Sequence, residues 1–262
     1  MSRILMCKIA ALLTVMSLSP VLSQAAAAAT PADNLYTTYS RIGPNQISWI
    51  TCGSTADSSG CYGSGTLGNL NNACDIMEGP PTFVSSTPSQ YFVARHVFVM
   101  NAGTTAAGGT TLNVYRKTDT ITASSDTTTI TLVNQVALPL TGGNVRCFMA
   151  GNAVALFMGT DQSPNAVEVT IAGKAVTTIP GFSPPINVSQ ISASDTGFVA
   201  VTFGSGRETG FIVFGPDGSL EEDGGGSPFV INNLQGLQLR PSAPFAAHAL
   251  SVAHKHFHVS QP

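Results

Sequence analysis

The sequence predicts an all-β protein built from repeated four-stranded antiparallel units, and three observations support this. Short runs rich in β-branched and aromatic residues alternate with glycine and proline turns, most clearly between Asn187 and Leu220. No stretch after residue 30 sustains helical apolar spacing over a dozen residues. Several runs, such as Phe198–Phe203, are apolar on both faces, which is typical of strands packed between two sheets. A β-sandwich, which buries one face of most strands, is the second choice.

Residues 1–29 have the pattern of a secretory signal peptide. Arg3 and Lys8 provide a basic start, an apolar run follows from Ile9 to Leu22, and small residues at Ala25–Ala29 offer cleavage sites. The run is shorter than the ~20 residues that span a bilayer, and no second run of that kind follows. We therefore expect a single secreted or periplasmic domain over residues 30–262, with no transmembrane segment.

The charge of the chain does not favour nucleic acid as a partner. The sequence contains 11 Lys and Arg residues against 14 Asp and Glu residues. Binding to a phosphate backbone needs clustered basic residues, and here they are scattered except for Arg116 and Lys117. A small molecule, a glycan or a protein remains as the possible partner.

Four of the five cysteines follow the predicted leader, and an exported chain favours disulfides between them. We predict a bond between Cys52 and Cys61, because the loop between them is short and rich in turn-forming residues. A bond between Cys74 and Cys147 follows by elimination. This second pair poses a difficulty, because it would join the first predicted unit to the third.

The units are defined by glycines that follow apolar strands. Gly53, Gly103, Gly159 and Gly204 recur roughly every 50 residues, near the period of about 40 to 50 residues per four-stranded propeller blade. The sequence predicts units over residues 35–80, 90–140, 144–180 and 187–225, with a weaker unit over 227–262. Pro216-Asp217-Gly218 has the composition of a tight hairpin turn within the fourth unit.

These glycines and their flanking strands resemble a β-propeller repeat. The resemblance covers residues 35–225, and together with the leader it indicates an exported protein of bacterial type. It implies a small propeller or a propeller-like fold, with any ligand site on loops around a central channel. No Trp-Asp dipeptide, diglycine motif or Asp-rich repeat recurs, so no family within that architecture is assigned.

The segment Cys52–Glu78 has the most unusual local composition, with three cysteines, many glycines and an asparagine cluster. It is interpreted either as an irregular disulfide-closed insertion or as a binding loop. Gly63–Gly68 matches G-x-G-x-x-G formally, but the dinucleotide fingerprint requires a preceding strand and a following helix. Neither is predicted there, so the match is rejected.

Two further segments contain possible metal ligands. His254, His256 and His258 would share one face of a strand, but their spacing is too wide for one Zn²⁺ to bind all three, and adventitious metal affinity is the preferred interpretation. Asp217–Asp223 is dense in oxygen ligands of the kind Ca²⁺ takes, although a solvated hairpin tip explains it better. We therefore predict no cofactor, with calcium or zinc as alternatives.

The sequence contains no recognisable catalytic constellation. No G-x-S-x-G elbow occurs, and Ser205 has no identifiable histidine partner. The predicted function is an exported binding protein whose ligand loop contains Ser205, Arg207 and Glu208. The alternatives are an extracytoplasmic hydrolase or lyase acting on a sugar or lactone, and a surface adhesin or structural component.

Overall fold

A computed structural model describes residues 35–54, 59–87, 90–107, 109–122, 125–171, 175–204, 209–222 and 230–232. These residues form four antiparallel sheets whose strands follow one another in chain order, and the described chain contains no helix. The fold class predicted from the sequence, all-β with four-stranded antiparallel units in a propeller-like series, is confirmed.

The first two sheets contain the longest strands. The first sheet consists of β1 (Tyr36–Gly43), β2 (Gln46–Ser54) and β3 (Ser59–Leu67). The second consists of β4 (Ala73–Thr87), β5 (Gln90–Asn101), β6 (Thr111–Thr122) and β7 (Asp126–Ala137).

The third and fourth sheets are built from shorter strands. The third consists of β8 (Cys147–Gly151), β9 (Ala155–Thr160), β10 (Ala166–Thr170) and β11 (Val176–Ile179). The fourth consists of β12 (Val188–Ala193), β13 (Val199–Phe203), β14 (Gly210–Phe214) and β15 (Val230–Asn232).

Neighbouring sheets stack face to face and bury three apolar clusters between them. Trp49 of β2 packs with Val97 and Tyr115 of the second sheet. Phe98 and Met158 belong to the cluster between the second and third sheets, and Phe157 and Phe203 to the cluster between the third and fourth. Every residue of β9 and β13 is buried, as their doubly apolar sequences predict. The first strands β4, β8 and β12 lie side by side.

The four marker glycines have different roles. Gly103 and Gly204 follow β5 and β13 with φ angles of 70° and 95°, the left-handed region that favours glycine. The turn at Pro216–Gly218 also forms as predicted, with Gly215 N–H donating to the Ser219 carbonyl at 2.8 Å. Gly53 and Gly159 were expected to end strands, but they lie inside β2 and β9.

The unit boundaries also differ from the sequence-based ones. Residues 73–80, placed in the first unit by sequence, begin the first strand of the second sheet. The first sheet therefore has three described strands rather than four. Residues 230–232, placed in the weak fifth unit, pair with β14 as the last strand of the fourth sheet.

Candidate binding surface

The segment Cys52–Glu78 is largely regular rather than an irregular insertion. The Cys52–Cys61 disulfide joins directly paired residues of β2 and β3. Gly63 and Gly65, part of the apparent dinucleotide motif, lie in β3. A Cβ atom at Gly65 would lie 2.9 Å from the Trp49 ring, so this glycine makes room for the buried indole.

The second disulfide joins Cys74 to Cys147. Cys74 lies in β4 and Cys147 in β8, the adjacent first strands of the second and third sheets. The difficulty noted from the sequence disappears, because Cys74 belongs to the second sheet rather than to the first. Both disulfides are consistent with an extracellular or periplasmic location.

The second sheet extends well beyond its neighbours. Its strands are 12 to 15 residues long, whereas those of the third sheet are 4 to 6 residues long. We call the projecting part the overhang and define it as residues 80–87, 90–95, 118–122 and 126–131.

One face of the overhang is covered, and the other is open along its outer strands. On the covered face, Tyr91, Val93 and Ile121 form a small buried cluster against Leu35. The other face consists of two cross-strand rows, one containing Phe83, Ala94, Thr118 and Thr129, and the next containing Ser85, Phe92, Thr120 and Thr127. Ala94 is buried, Phe92, Thr118 and Thr120 are half-buried, and the four residues on the outer strands β4 and β7 are exposed. Hydroxyl groups and phenyl rings therefore share one face of the sheet.

The edge of the overhang is formed by the second half of β4. All residues from Pro80 to Thr87 are exposed, and Phe83 and Val84 retain 55% and 51% of their accessible surface. The Phe83 ring lies 5.7 Å from the Phe92 ring in an edge-to-face arrangement. Backbone groups that point away from β5 have no partner strand on this side among the described sheets, and such an edge is a template for pairing with another chain.

A buried charged cluster lies at the base of the overhang, between the first and second sheets. The Lys117 ammonium lies 3.2 Å from Glu78 Oε1 and 3.1 Å from Asp119 Oδ2, and Arg95 lies 3.3 Å from Glu78 Oε1. The Tyr39 hydroxyl donates to Glu78 Oε2 at 2.7 Å. Burial, reinforced by the Glu78 charge, raises the pKa of Tyr39 above its ordinary value.

This cluster connects β1 to the overhang. Two carboxylates are matched by two cationic side chains, and Lys117 and Asp119 are almost completely buried. Lys117 contacts both carboxylates, and Asp119 Oδ1 also accepts a hydrogen bond from the Thr128 hydroxyl at 2.7 Å. The cluster therefore ties β1 to the base of the overhang.

Asp75 is a second ionisable group in an unusual environment. It lies on β4, and its carboxylate accepts a hydrogen bond from the Ile76 N–H at 2.8 Å and another from the backbone of Met149 in β8. Burial raises the pKa of Asp75 to about 7, although these two hydrogen bonds lower it. Asp75 therefore bridges the same two first strands as the Cys74–Cys147 disulfide.

The ligand and metal residues predicted from sequence fall mainly outside the described chain. Ser205, Arg207, Glu208, His254, His256 and His258 all lie outside the described residues. In the proposed calcium segment, Asp217 accepts a hydrogen bond from the Ser219 N–H at 3.0 Å, and the bonds from Ser219 lower the pKa of Asp217. Within the described ranges, no three His, Cys, Asp or Glu side chains are grouped to hold a metal ion.

The described part of the chain has no helix long and apolar enough to cross a membrane.

No protein-family model and no curated protein sequence matches this chain. It is similar to two structures of virginiamycin B lyase from Staphylococcus aureus, one of a catalytically inactive variant with quinupristin and one with selenomethionine. Each is 13% identical, with 72% of this chain and 69% of that chain covered and a TM-score of 0.27. Prolyl oligopeptidase B from Galerina marginata is 7% identical over 74% of this chain and 34% of that chain, with a TM-score of 0.29. The chain thus spans about a third of the peptidase, and TM-scores this low assign neither a fold family nor an activity.

Proposed function

We propose that this is an exported binding protein and that the overhang of the second sheet presents its ligand surface. The observation that carries this proposal is the exposed edge of β4 at residues 80–87, where Phe83 and Val84 are more than half exposed. Proteins usually protect long edge strands with charges, prolines or a covering element. Pro80 and Pro81 begin this edge, but the stretch Thr82–Thr87 contains no proline and no charged residue, and Pro88 is the next proline in the sequence.

The ligand that fits such an edge best is an extended polypeptide. A peptide strand can add to a free sheet edge through main-chain hydrogen bonds, while side chains on alternate positions give specificity. Phe83 and Phe92 offer apolar contacts on one face, and the threonine rows beside them offer hydroxyl groups. The predicted loop containing Ser205, Arg207 and Glu208 remains a second proposed contact.

The hydrolase or lyase alternative receives less support. Such an enzyme needs acids or histidines that converge on accessible space. The acids that converge in the described chain, Glu78 and Asp119, are buried and ion-paired with Lys117. An adhesin role is compatible with the binding proposal, because both require an exposed recognition surface.

The test is selection of a random-peptide phage library on the full mature protein, followed by titration of the selected peptides. We expect peptides with alternating apolar residues, and we expect Val84→Asp to weaken their binding at least about tenfold. A charge on this edge would oppose both strand pairing and apolar contact. Val133→Asp is the matched control, because Val133 is also 51% exposed but lies on β7 at the opposite edge.

Selected peptides that bind equally well to the wild-type protein and to Val84→Asp would contradict the proposal. The same conclusion would follow if Val133→Asp weakened binding as much as Val84→Asp. Thermal unfolding of both variants shows whether each retains the fold of the parent.

A further inference from the structure

The fourth sheet is buried on both faces, although the described sheets cover only one of them. Its near face, which includes Val201, Phe203 and Phe214, packs against the third sheet. The strand register places a second set of residues on the opposite side, the half-buried Gln190 and five residues that we call the far face: Ser192, Ala200, Thr202, Phe211 and Val213.

The far face is shielded from solvent. Ser192, Ala200, Thr202, Phe211 and Val213 are only 2%, 1%, 7%, 4% and 9% exposed, respectively. Ala200 and Val213 belong to none of the four apolar clusters found among the described residues. The Thr202 hydroxyl is also buried and forms no hydrogen bond. Another part of the molecule must therefore cover this surface.

The first sheet provides an internal comparison, since it lies at the other end of the series. Its outward face bears Tyr36, Thr38, Ser40 and Ile50, which are all exposed, Tyr36 to 60% and Ile50 to 42%. An uncovered end sheet in this protein is thus rich in hydroxyl side chains and open to solvent. The far face of the fourth sheet also bears hydroxyl groups, on Ser192 and Thr202, but it is buried and adds the apolar Ala200, Phe211 and Val213.

We propose that the chain beyond Asn232 folds back and covers the far face of the fourth sheet. The described chain ends in β15, which pairs with β14 and so leaves the following residues at the edge of this same sheet. Residues 233–262 contain only two charged side chains, Arg240 and Lys255, and include many apolar residues: Leu234, Leu237, Leu239, Phe245, Leu250, Val252, Phe257 and Val259. Burial of such a segment against an apolar face is favourable.

The direct test is photo-crosslinking of the full chain with benzoylphenylalanine in place of Phe211. We expect crosslinks from this position to peptides within residues 233–262 of the same molecule. The matched control carries the same probe in place of Phe83, which is 55% exposed on β4, and should give no such crosslinks. Crosslinks from position 211 only to a second copy, only to residues before Leu35, or to no segment at all would overturn the proposal.

Hydrogen exchange uses the unmodified protein, so its result does not depend on whether the fold accepts benzoylphenylalanine at position 211. Amides within residues 233–262 of the full chain should exchange at least about tenfold more slowly than those of a synthetic peptide of the same sequence, because packing on a sheet protects them. Equal exchange rates in the full chain and the peptide would overturn the proposal.

Discussion

Gly159 shows how a single residue sets the distance between two sheets. A Cβ atom at this position would lie 2.8 Å from Cγ1 of Val188, which belongs to the first strand of the fourth sheet. Gly159 has an ordinary strand conformation, so its role is close packing rather than an unusual backbone. The sequence-based assignment of Gly159 to a turn was therefore wrong, because this glycine is needed for close packing between two sheets.

We expect Gly159→Ala to destabilise the protein by about 1 to 3 kcal/mol, the usual cost of overpacking a tight core. Urea unfolding of Gly159→Ala, Val188→Ala and the double variant measures the coupling between the two positions. The loss in the double variant should be smaller than the sum of the two single losses, because Val188→Ala makes room for the new methyl group. Strictly additive losses would show that the two residues do not press on each other.

Asp75 should make the stability of the protein depend on pH. Because burial raises its pKa to about 7, the folded protein retains a proton on Asp75 that the unfolded chain releases near pH 4. The contribution of this proton to the free energy of unfolding is fully present below about pH 4. It is lost as the pH rises towards 7.

Asp75→Asn should remove this dependence, since the amide oxygen can still accept the two backbone hydrogen bonds. We expect the variant to match the wild type near pH 4 and to be more stable at pH 8 by roughly 2 to 4 kcal/mol. Urea unfolding at both pH values measures this difference. If the free energies of unfolding of wild type and variant differ by the same amount at pH 4 and at pH 8, Asp75 is not the group responsible for the pH dependence.

At the scale of elements, the two disulfides differ in the length of chain they close. Cys52 and Cys61 are 9 residues apart within one hairpin, whereas Cys74 and Cys147 are 73 residues apart and join two sheets. In the chain-entropy model, the longer loop contributes more to stability, by about 2 kcal/mol.

Replacing Cys74 and Cys147 with serine should therefore cost about 4.5 kcal/mol, against about 2.5 kcal/mol for the Cys52 and Cys61 pair. Denaturant unfolding of the two double variants measures both values under identical conditions. A larger loss from the hairpin pair would contradict the view that the Cys74–Cys147 bond organises the packing of the second and third sheets.

Much of the strand pattern could be predicted from the sequence, but β4 could not. The doubly apolar runs at β9 and β13 and the turn at Gly218 are local signals, and the structure has them where they were predicted. In contrast, the sequence Gly79-Pro80-Pro81 has the composition of a turn, although these residues lie inside β4, the longest strand. An edge strand tolerates them, because prolines there remove no hydrogen bond to a second neighbour, and the ladder has bulges at this point.

At the scale of the whole molecule, the sheets form a series with two different ends. The first sheet presents exposed hydroxyl side chains, and the fourth presents a buried face of Ala, Phe and Val with one Ser and one Thr. Between them, the second sheet projects beyond its neighbours. Sequence could not indicate this projection, because it depends on the lengths of strands in adjacent sheets rather than on any motif. The buried cluster of Tyr39, Glu78, Arg95 and Lys117 likewise depends on four different strands.

The most direct test of the binding proposal is hydrogen exchange of the full protein with and without a library-selected peptide. The account predicts slower exchange in the second half of β4, at the N–H groups between Thr82 and Thr87 that point away from β5, because the peptide would pair with them. Protection confined to other sheets, with no change in Thr82–Thr87, would contradict the assignment of the overhang as the binding surface.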